Sequence, residues 1–376
     1  MPTKAYSDIL VHLHEENRLR SIPSAGTPAR TDLLSNDYLG LATRSAEFMP
    51  EFLRRFPDAS FTSSASRLLS RRNKYHNRLE KCLGEAYGRS VLLFNSGYHA
   101  NVGMIQALAI PGTLFLADKL AHASAIDGLR LSGADFKRFA HNDVRKLTRL
   151  LKENHNLYDR IIVIVESVYS MDGDIAPLGQ MVKLKRQFPK MLLYVDEAHS
   201  FGVRGARGLG LAEELDLIRD IDFLMATLGK AAASAGAFVA TSPEMKDYLL
   251  NCTRSFIFST ALSPAQTAWS LLMTEKIAKM QPERLHLMSL STNFVNKLYE
   301  RANIETPSQS QIVPIIIGDP GEALNMSAHL AERGFDALAI RRPTVAAGSE
   351  RIRISLNALL TEPQTDALVS AIADYR

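Results

Sequence analysis

The sequence predicts an α/β fold in which helices cover both faces of a largely parallel central sheet. From about residue 75 onward, short runs rich in β-branched residues alternate with longer amphipathic stretches. The runs Ile161–Val165 and Met191–Val195 are apolar throughout, which is typical of strands that are buried on both faces. With 376 residues and 46% hydrophobic side chains, the chain has enough apolar material for a large core.

The first three quarters of the chain supply the strands and helices of this sheet. The predicted strands are Val91–Phe94, Thr113–Ala117, Arg160–Glu166, Met191–Asp196, Phe223–Thr227, Ala237–Thr241 and Phe256–Thr260. Apolar residues at i, i+3 and i+4 spacing predict the helices Lys74–Tyr87, His99–Ala109, Asp143–Lys152 and Leu178–Phe188. A further helix runs from Ser263-Pro264 toward Met280, and Gln281-Pro282-Glu283 breaks its pattern.

The remaining residues predict a smaller α+β domain. Its predicted elements are a helix at Leu285–Arg301, a strand at Ile312–Ile317, a helix at Glu322–Arg333, two short strands and a terminal helix at Glu362–Tyr375. We expect residues 1–44, with an N-terminal helix and a strand near Asp32–Ser35, to pack with this domain. The expected division is therefore 1–44, a large domain over 45–280, and a small domain over 281–376.

Composition excludes several classes of protein. The chain has 44 Lys and Arg against 40 Asp and Glu, and this slight basic excess is spread out, unlike that of a nucleic-acid-binding protein. Cys82 and Cys252 form neither a disulfide framework nor a metal-binding spacing, which favours a reducing compartment. No apolar run is long enough to span a membrane, and acidic residues near the N-terminus argue against a targeting peptide. We expect a cytoplasmic protein without a metal.

Two polar residues at strand ends point to a cofactor. Asp196 ends a buried strand, and Lys230 follows the next predicted strand among small residues. Taken singly, such an Asp can be a helix cap and such a Lys a solvated loop residue. Together they match pyridoxal 5′-phosphate (PLP), whose protonated ring nitrogen needs a carboxylate and whose aldehyde needs an amine.

Three further segments fit the same cofactor. Gly97 and Tyr98 lie between a strand and a helix, where free backbone N–H groups bind phosphate. His122 offers an imidazole that could stack on the pyridine ring, although a lone histidine is more often structural. Residues 166–174 follow an apolar strand and bring acids and the Ser170 hydroxyl to the carboxyl edge of the sheet.

Seven motifs that include these residues extend over most of the chain, from residue 34 to residue 357. They are Ser35-Asn36-Asp37-Tyr38-Leu39-Gly40, Ser66-Arg67-Leu68-Leu69-Ser70, Arg138-Phe139-Ala140-His141-Asn142-Asp143, Ser170-Met171-Asp172-Gly173-Asp174-Ile175-Ala176-Pro177-Leu178, Asp196-Glu197-Ala198-His199, Thr227-Leu228-Gly229-Lys230 and Arg342-Pro343-Thr344-Val345. In these motifs the chain resembles the α-oxoamine synthase family of fold-type I PLP-dependent transferases. The resemblance implies a mainly parallel sheet in a large domain and a smaller α+β domain.

The resemblance also implies roles for individual residues. The implied catalytic residues are Lys230, which would hold PLP, Asp196 at the ring nitrogen, His199 at the phenolic oxygen and His122 stacked on the ring. The implied cofactor-binding set is Gly97, Tyr98, His122, Ser170, Asp196, His199, Thr227, Lys230 and Thr260, with Thr260 supplied by the neighbouring subunit of a homodimer. The implied substrate-binding residues are Arg353 at the amino-acid carboxylate, with Arg20, Asn36, His122 and Thr344.

Two motifs, at 171–178 and 342–345, point to the branch of the family that condenses L-alanine with a pimeloyl thioester in biotin biosynthesis. The acyl carrier, CoA or acyl carrier protein, stays open. Three alternatives also stay open. One is a sister synthase that uses glycine with acetyl- or succinyl-CoA, or serine with a long acyl chain. The others are a fold-type I aminotransferase or decarboxylase, and a non-catalytic regulator with this fold.

Two loops depart from the family pattern. Thr62-Ser63-Ser64-Ala65 stands where the family usually has glycines, and Ala231-Ala232-Ala233 follows Lys230 where relatives often carry glycine or a large residue. Because a Cβ atom disfavours positive φ angles, the conformation of both loops stays open at this point.

Overall fold

A computed structural model describes residues 3–22 and 30–375 of the chain. The chain divides into two compact units, described separately below. The larger unit comprises residues 37–170 and 175–285, and the smaller one comprises 1–36, 171–174 and 286–376. The domain division at residues 44 and 280 stays a prediction.

Helices and strands alternate along most of the described chain. The helices are α1 (Lys4–Glu15), α2 (Ser45–Arg55), α3 (Lys74–Tyr87), α4 (Gly97–Leu108), α5 (Ala123–Ser132), α6 (Val144–Asn154), α7 (Leu178–Gln187), α8 (Leu211–Glu214), α9 (Pro243–Cys252), α10 (Arg254–Ile257), α11 (Pro264–Ile277), α12 (Gln281–Ala302), α13 (Pro320–Glu332) and α14 (Glu362–Ala373). The strands are β1 (Thr31–Asp32), β2 (Ser90–Phe94), β3 (Thr113–Asp118), β4 (Asp135–Phe139), β5 (Arg160–Glu166), β6 (Met191–Asp196), β7 (Phe223–Thr227), β8 (Ala237–Thr241), β9 (Ile312–Ile316), β10 (Phe335–Asp336), β11 (Leu338–Ile340) and β12 (Arg351–Ser355). No helix in the described part of the chain has the length and apolar character needed to cross a membrane.

The larger unit is built on a seven-stranded sheet with the order β2-β8-β7-β6-β5-β3-β4. The strands β4, β3, β5, β6 and β7 are parallel to one another, and β8 runs antiparallel to both β7 and β2. The interior of β5 and most of β6 are buried, as their unbroken apolar runs predict. The predicted α/β fold with a mainly parallel central sheet is therefore confirmed.

Parallel register places the ends of neighbouring strands side by side. Glu166, the last residue of β5, pairs in register with Asp196, the last residue of β6. Because side chains at paired positions of parallel strands point to the same face, the two carboxyl groups share one side of the sheet. This carboxyl edge is where open α/β sheets bind their ligands.

The smaller unit contains two short sheets. The strands β11, β12 and β9 form an antiparallel sheet with β12 in the centre, and β1 pairs with β10 in parallel. Arg351 and Arg353 lie two residues apart on β12, so both guanidinium groups emerge on the same face of the strand. Both side chains are buried, which is unusual for arginine and requires polar partners.

The structure corrects some of the predicted elements. Residues 256–260 do not form a strand: Phe256 belongs to the short helix α10, and its ring packs on Phe94. A run this short has no period that separates strand from helix. The edge strand β4 was missed because most of its residues are exposed and charged. Helix α12 begins at Gln281, because a proline in the first helical turn starts a helix instead of breaking it.

Both loops that depart from the family pattern contain a residue with positive φ. Ser64 has φ of 52° and Ala233 has φ of 47°. The conformation of Ala233 is held by two hydrogen bonds: its N–H donates to the Lys230 carbonyl at 2.8 Å, and its carbonyl accepts from Trp269 Nε1 at 2.9 Å. The chain therefore adopts a left-handed conformation at an alanine three residues after Lys230.

We expect Ala233→Gly to stabilise the protein. A left-handed conformation costs an L-residue about 1–2 kcal/mol, and the greater entropy of glycine in the unfolded chain offsets about 0.5–1 kcal/mol of the gain. The net increase in the free energy of unfolding is about 0.5 kcal/mol, measured by denaturant unfolding. The control is Ala232→Gly, which removes a fully buried methyl group and should destabilise by about 1 kcal/mol or more. Equal destabilisation by both variants would contradict the strain argument.

Candidate active site

A cavity of about 160 Å³ lies in the larger unit and contains the carboxyl ends of β6 and β7. Seven residues singled out from the sequence line it, namely Gly97, Tyr98, His122, Asp196, His199, Thr227 and Lys230. They come from four different strand–helix or strand–loop connections, and the parallel sheet brings them together because it gathers its strand ends at one edge.

Asp196 is held by two hydrogen bonds at the end of β6. Its Oδ1 accepts from the Ala198 N–H at 2.9 Å, and its Oδ2 accepts from Asn101 Nδ2 at 2.9 Å. Asn101 is itself buried, and its carbonyl oxygen accepts from the Tyr194 hydroxyl at 2.6 Å. The orientation of the Asn101 amide is thereby fixed, and with it the orientation of the Asp196 carboxyl group.

His122 precedes α5 and caps its first turn. Its Nδ1 accepts from the Ser124 N–H at 3.2 Å and lies 2.8 Å from Ser124 Oγ, which in turn accepts from Asn101 Nδ2 at 2.9 Å. Burial lowers the pKa of His122, opposed by the nearby charge of Asp196 and reinforced by that of Lys230. The imidazole is therefore a fixed, neutral ring on the wall of the cavity.

Lys230 and His199 are in direct contact. Lys230 Nζ lies 3.0 Å from His199 Nε2, and the other ring nitrogen of His199, Nδ1, lies 2.6 Å from the hydroxyl oxygen of Tyr38. Only 5% of the His199 surface is exposed, and Tyr38 is fully buried. Both nitrogens of this imidazole are therefore committed to polar partners.

Glu166 is a second buried acid in the wall of the cavity, beside Asp196. Burial raises its pKa well above the ordinary value, and the charge of Asp196 raises it further, while Lys230 and backbone N–H groups of His122 and Ser170 lower it. Its Oε1 atom has no hydrogen-bond partner among the described residues. Burial therefore favours the protonated form of the Glu166 carboxyl group.

The N-terminus of α4 also faces the cavity, with Gly97 and Tyr98 in the lining. Ser96 caps the helix by accepting the His99 N–H at 3.1 Å, and the first N–H groups of a helix have no partner within it. A Cβ atom at Gly97 would lie 2.6 Å from Thr227 Cγ2, so this close approach requires glycine. The result is an anion-binding helix end beside the hydroxyl-bearing Thr227.

These groups fit PLP. The cavity offers an amine in Lys230, a carboxyl group in Asp196, an imidazole face in His122 and a helix N-terminus for a phosphate. Two features are typical of a ligand site rather than of a closed core. Residue 97 must be glycine because Thr227 lies so close, and the buried Oε1 atom of Glu166 has no hydrogen-bond partner among the described residues.

Four of the five predicted substrate residues pair with one another within the smaller unit. Arg353 Nη2 donates to Asn36 Oδ1 at 3.1 Å, and Arg20 Nη2 donates to Thr344 Oγ1 at 2.9 Å. Arg351 instead donates to the carboxylate of Asp172 and to the carbonyl of Met171 at 3.1 Å. The guanidinium group of Arg351 is therefore paired with a carboxylate.

Two predicted cofactor residues do not line the cavity. Ser170 is the last residue of the first of the two segments that make up the larger unit. Thr260 is exposed and pairs with Ser66 in a single β-bridge. The carbonyl of Thr260 accepts from Asn95 Nδ2 at 2.7 Å. That Thr260 of the partner subunit binds the cofactor stays a prediction.

Sequence reasoning assigned no role to four residues that shape the cavity. Tyr38, Asn101, Ser124 and Glu166 all lie in or next to the segments that carry the predicted site. A signal was present for Asn101, which is a polar residue on the buried face of α4, and for Glu166, which ends an otherwise apolar strand. Buried polar residues of this kind need hydrogen-bond partners, and the partner of Asn101 is Asp196, a predicted site residue.

The fold and the cavity define a fold-type I PLP-dependent enzyme. The family model for aminotransferase class I and II matches residues 29–372, so the chain belongs to this family. The chain is 46% identical over 347 residues to 8-amino-7-oxononanoate synthase from Haemophilus ducreyi, covering 90% of this chain and 89% of that protein.

Solved structures agree with this assignment. A serine palmitoyltransferase from S. paucimobilis with bound PLP and myriocin matches with a TM-score of 0.88 and 26% identity, over 100% of this chain and 97% of that one. The 8-amino-7-oxononanoate synthase from Francisella tularensis matches with a TM-score of 0.76 and 26% identity, over 92% of this chain and 97% of that one. The predicted cofactor is confirmed as PLP, and the predicted enzyme class as a PLP-dependent acyltransferase.

Proposed function

We propose that this enzyme condenses L-alanine with a pimeloyl thioester to give 8-amino-7-oxononanoate, carbon dioxide and the free thiol, as a step of biotin biosynthesis. The observation that carries the proposal is the Lys230 amine, 3.0 Å from His199 in a cavity that also holds Asp196. The identity of 46% to an 8-amino-7-oxononanoate synthase supports the choice of substrates.

When bound, PLP supplies a conjugated cationic ring that stabilises negative charge at the amino-acid Cα. Lys230 would hold the cofactor through its amine, and Nζ would accept the Cα proton of alanine as a general base. Asp196 would pair with the ring nitrogen, and the fixed ring of His122 would stack on the cofactor. The Nε2 atom of His199 would bind the phenolic oxygen.

The N-terminus of α4 would hold the phosphate of the cofactor. The N–H groups of Gly97 and Tyr98 and the Thr227 hydroxyl would bind it, and Ser170 would lie beside the cofactor. The active enzyme would be a homodimer in the cytoplasm, in which Thr260 of the partner subunit would bind the same phosphate. The exposure of Thr260 on its own chain supports this arrangement.

The substrates are bound by residues of the smaller unit. Arg353 clamps the alanine carboxylate through its planar guanidinium fork, which Asn36 orients at 3.1 Å. Arg20, Asn36 and Thr344 line the acyl side, and the pimeloyl group arrives on CoA or on acyl carrier protein. The hydrogen bond between Arg20 and Thr344 supports a shared surface for these two residues.

We expect Arg353→Lys to raise the KM for alanine by about 10- to 100-fold, because a lysine keeps the charge but loses one of two parallel hydrogen bonds. Steady-state kinetics with each substrate varied in turn would check this, since the KM for the pimeloyl thioester should change by no more than about threefold. An alanine KM that stays at the wild-type value would remove Arg353 from the carboxylate site.

Product analysis tests the proposed reaction. The purified holoenzyme is incubated with alanine and pimeloyl-CoA, and in parallel with glycine and acetyl-CoA or with serine and palmitoyl-CoA, and the products are identified by mass spectrometry. We expect 8-amino-7-oxononanoate in the first mixture and little product in the others. A larger product yield from glycine or serine would assign the enzyme to a sister synthase, and amino-group exchange with a keto acid would make it an aminotransferase.

A further inference from the structure

We propose that Tyr38 is a positioning residue of this active site: its hydroxyl group donates a hydrogen bond to Nδ1 of His199 and holds the imidazole proton on Nε2, where it faces Lys230. The inference rests on the proposed function for its catalytic consequence, but the position of the proton can be measured without any catalysis. The sequence motif at residues 35–40 contains Tyr38 but does not by itself indicate a role for it.

The three residues form a chain of two hydrogen-bond contacts. The Tyr38 hydroxyl oxygen lies 2.6 Å from His199 Nδ1, and His199 Nε2 lies 3.0 Å from Lys230 Nζ. Tyr38 is 0% exposed and His199 is 5% exposed, so water does not compete freely for the hydrogen bond between them. All three residues belong to the larger unit.

The direction of the first hydrogen bond follows from the chemistry of the two groups. A neutral imidazole has one N–H donor and one bare nitrogen acceptor, and the partner of one nitrogen decides which of them carries the proton. A phenol is a good donor and a poor acceptor, because its oxygen lone pairs are delocalised into the ring. The bare imidazole nitrogen is a strong acceptor, so Tyr38 donates and Nδ1 of His199 accepts.

The second hydrogen bond then determines the state of Lys230. With the proton on Nε2, His199 presents an N–H donor to Nζ at 3.0 Å. A neutral amine accepts this bond with its lone pair, whereas an ammonium group has only donors and would face another donor. The arrangement therefore favours the uncharged amine, which is the nucleophilic form required to capture an aldehyde.

Other titratable groups line the same cavity and have hydrogen-bond partners of their own. His122 is bound to Ser124, Asp196 is held by Asn101 and Ala198, and burial favours the protonated form of Glu166. The Tyr38 hydroxyl contacts Nδ1 of His199 directly. The tautomer is accordingly assigned to this hydroxyl.

The tautomer is measured by NMR of the full chain labelled with ¹⁵N-histidine, without PLP and again with PLP, with His199→Gln used to assign the signals. We expect the wild-type His199 ring to show the Nε2-protonated pattern. In Tyr38→Phe we expect both ring-nitrogen shifts to move toward values averaged over the two tautomers. A wild-type ring protonated on Nδ1 overturns the proposal, even if the variant does not fold.

Tyr87→Phe is the matched control, because Tyr87 is also a buried tyrosine and its hydroxyl donates to the Leu209 carbonyl at 2.6 Å, away from the cavity. The rate of PLP capture is followed by absorbance against pH. We expect Tyr38→Phe to move the midpoint of this profile upward by about one pH unit, since one buried hydrogen bond is worth about that much. The control should leave it in place.

The outcomes separate this inference from the proposed function. Identical midpoints and identical histidine signals in Tyr38→Phe and Tyr87→Phe would reduce Tyr38 to a structural residue. Failure of the wild-type protein to capture PLP would overturn the proposed function, while the tautomer of His199 in the PLP-free protein would still decide the inference.

Discussion

Lys230→Ala should abolish product formation, with a loss of about 10⁴-fold or more in kcat. In the proposed mechanism this side chain provides both the covalent attachment of the cofactor and the base for the Cα proton, and its Nζ lies 3.0 Å from His199 Nε2. Product release is measured by mass spectrometry with alanine and pimeloyl-CoA, and circular dichroism checks that the variant is folded.

The control for this variant is Lys279→Ala, which removes an exposed lysine of the same unit and should leave kcat within about twofold. In the wild-type holoenzyme, borohydride reduction followed by peptide mapping should place the cofactor on the peptide that contains Lys230. Turnover retained by Lys230→Ala, or a label on a different peptide, is incompatible with the proposed site.

The two acids at the ends of β5 and β6 should respond in opposite ways to amide replacement. Asp196→Asn should bind PLP but lose about 10²- to 10³-fold in kcat, because the amide cannot keep the ring nitrogen protonated. Glu166→Gln should keep kcat within about threefold, because burial raises the pKa of Glu166 well above its ordinary value and so favours the protonated form, which glutamine resembles.

Each variant of this pair is the control for the other, since the two residues are register partners in the same cavity wall. Steady-state kinetics with saturating PLP and absorbance titration of PLP binding give both readouts. Near-normal activity in Asp196→Asn would remove the electron-sink argument. A loss in Glu166→Gln as large as that in Asp196→Asn would show that Glu166 works as a carboxylate.

Much of this protein could be predicted from local patterns. The apolar runs of β5 and β6 indicated a sheet buried on both faces, and their final residues indicated the ligand-binding edge. Lys230, Asp196, His199 and His122 were found because side chains at the carboxyl ends of parallel strands meet whatever their separation along the chain. The prediction was wrong at residues 256–260, where the apolar run is too short to distinguish a strand from a helix. It missed β4, whose residues are mostly exposed and charged.

The sequence by itself determined the fold class, through its alternating strands and helices, and the cofactor, through Asp196 and Lys230 at strand ends and the family motifs. The roles of the individual side chains stay predictions. The tertiary structure decided which groups hold those side chains: Asn101 against Asp196, and Tyr38 against His199. These contacts join residues 95 and 161 positions apart, and no local periodicity encodes such a pairing. Burial decided the rest, since the charge of Glu166 depends on the water and neighbours that the folded chain leaves around it.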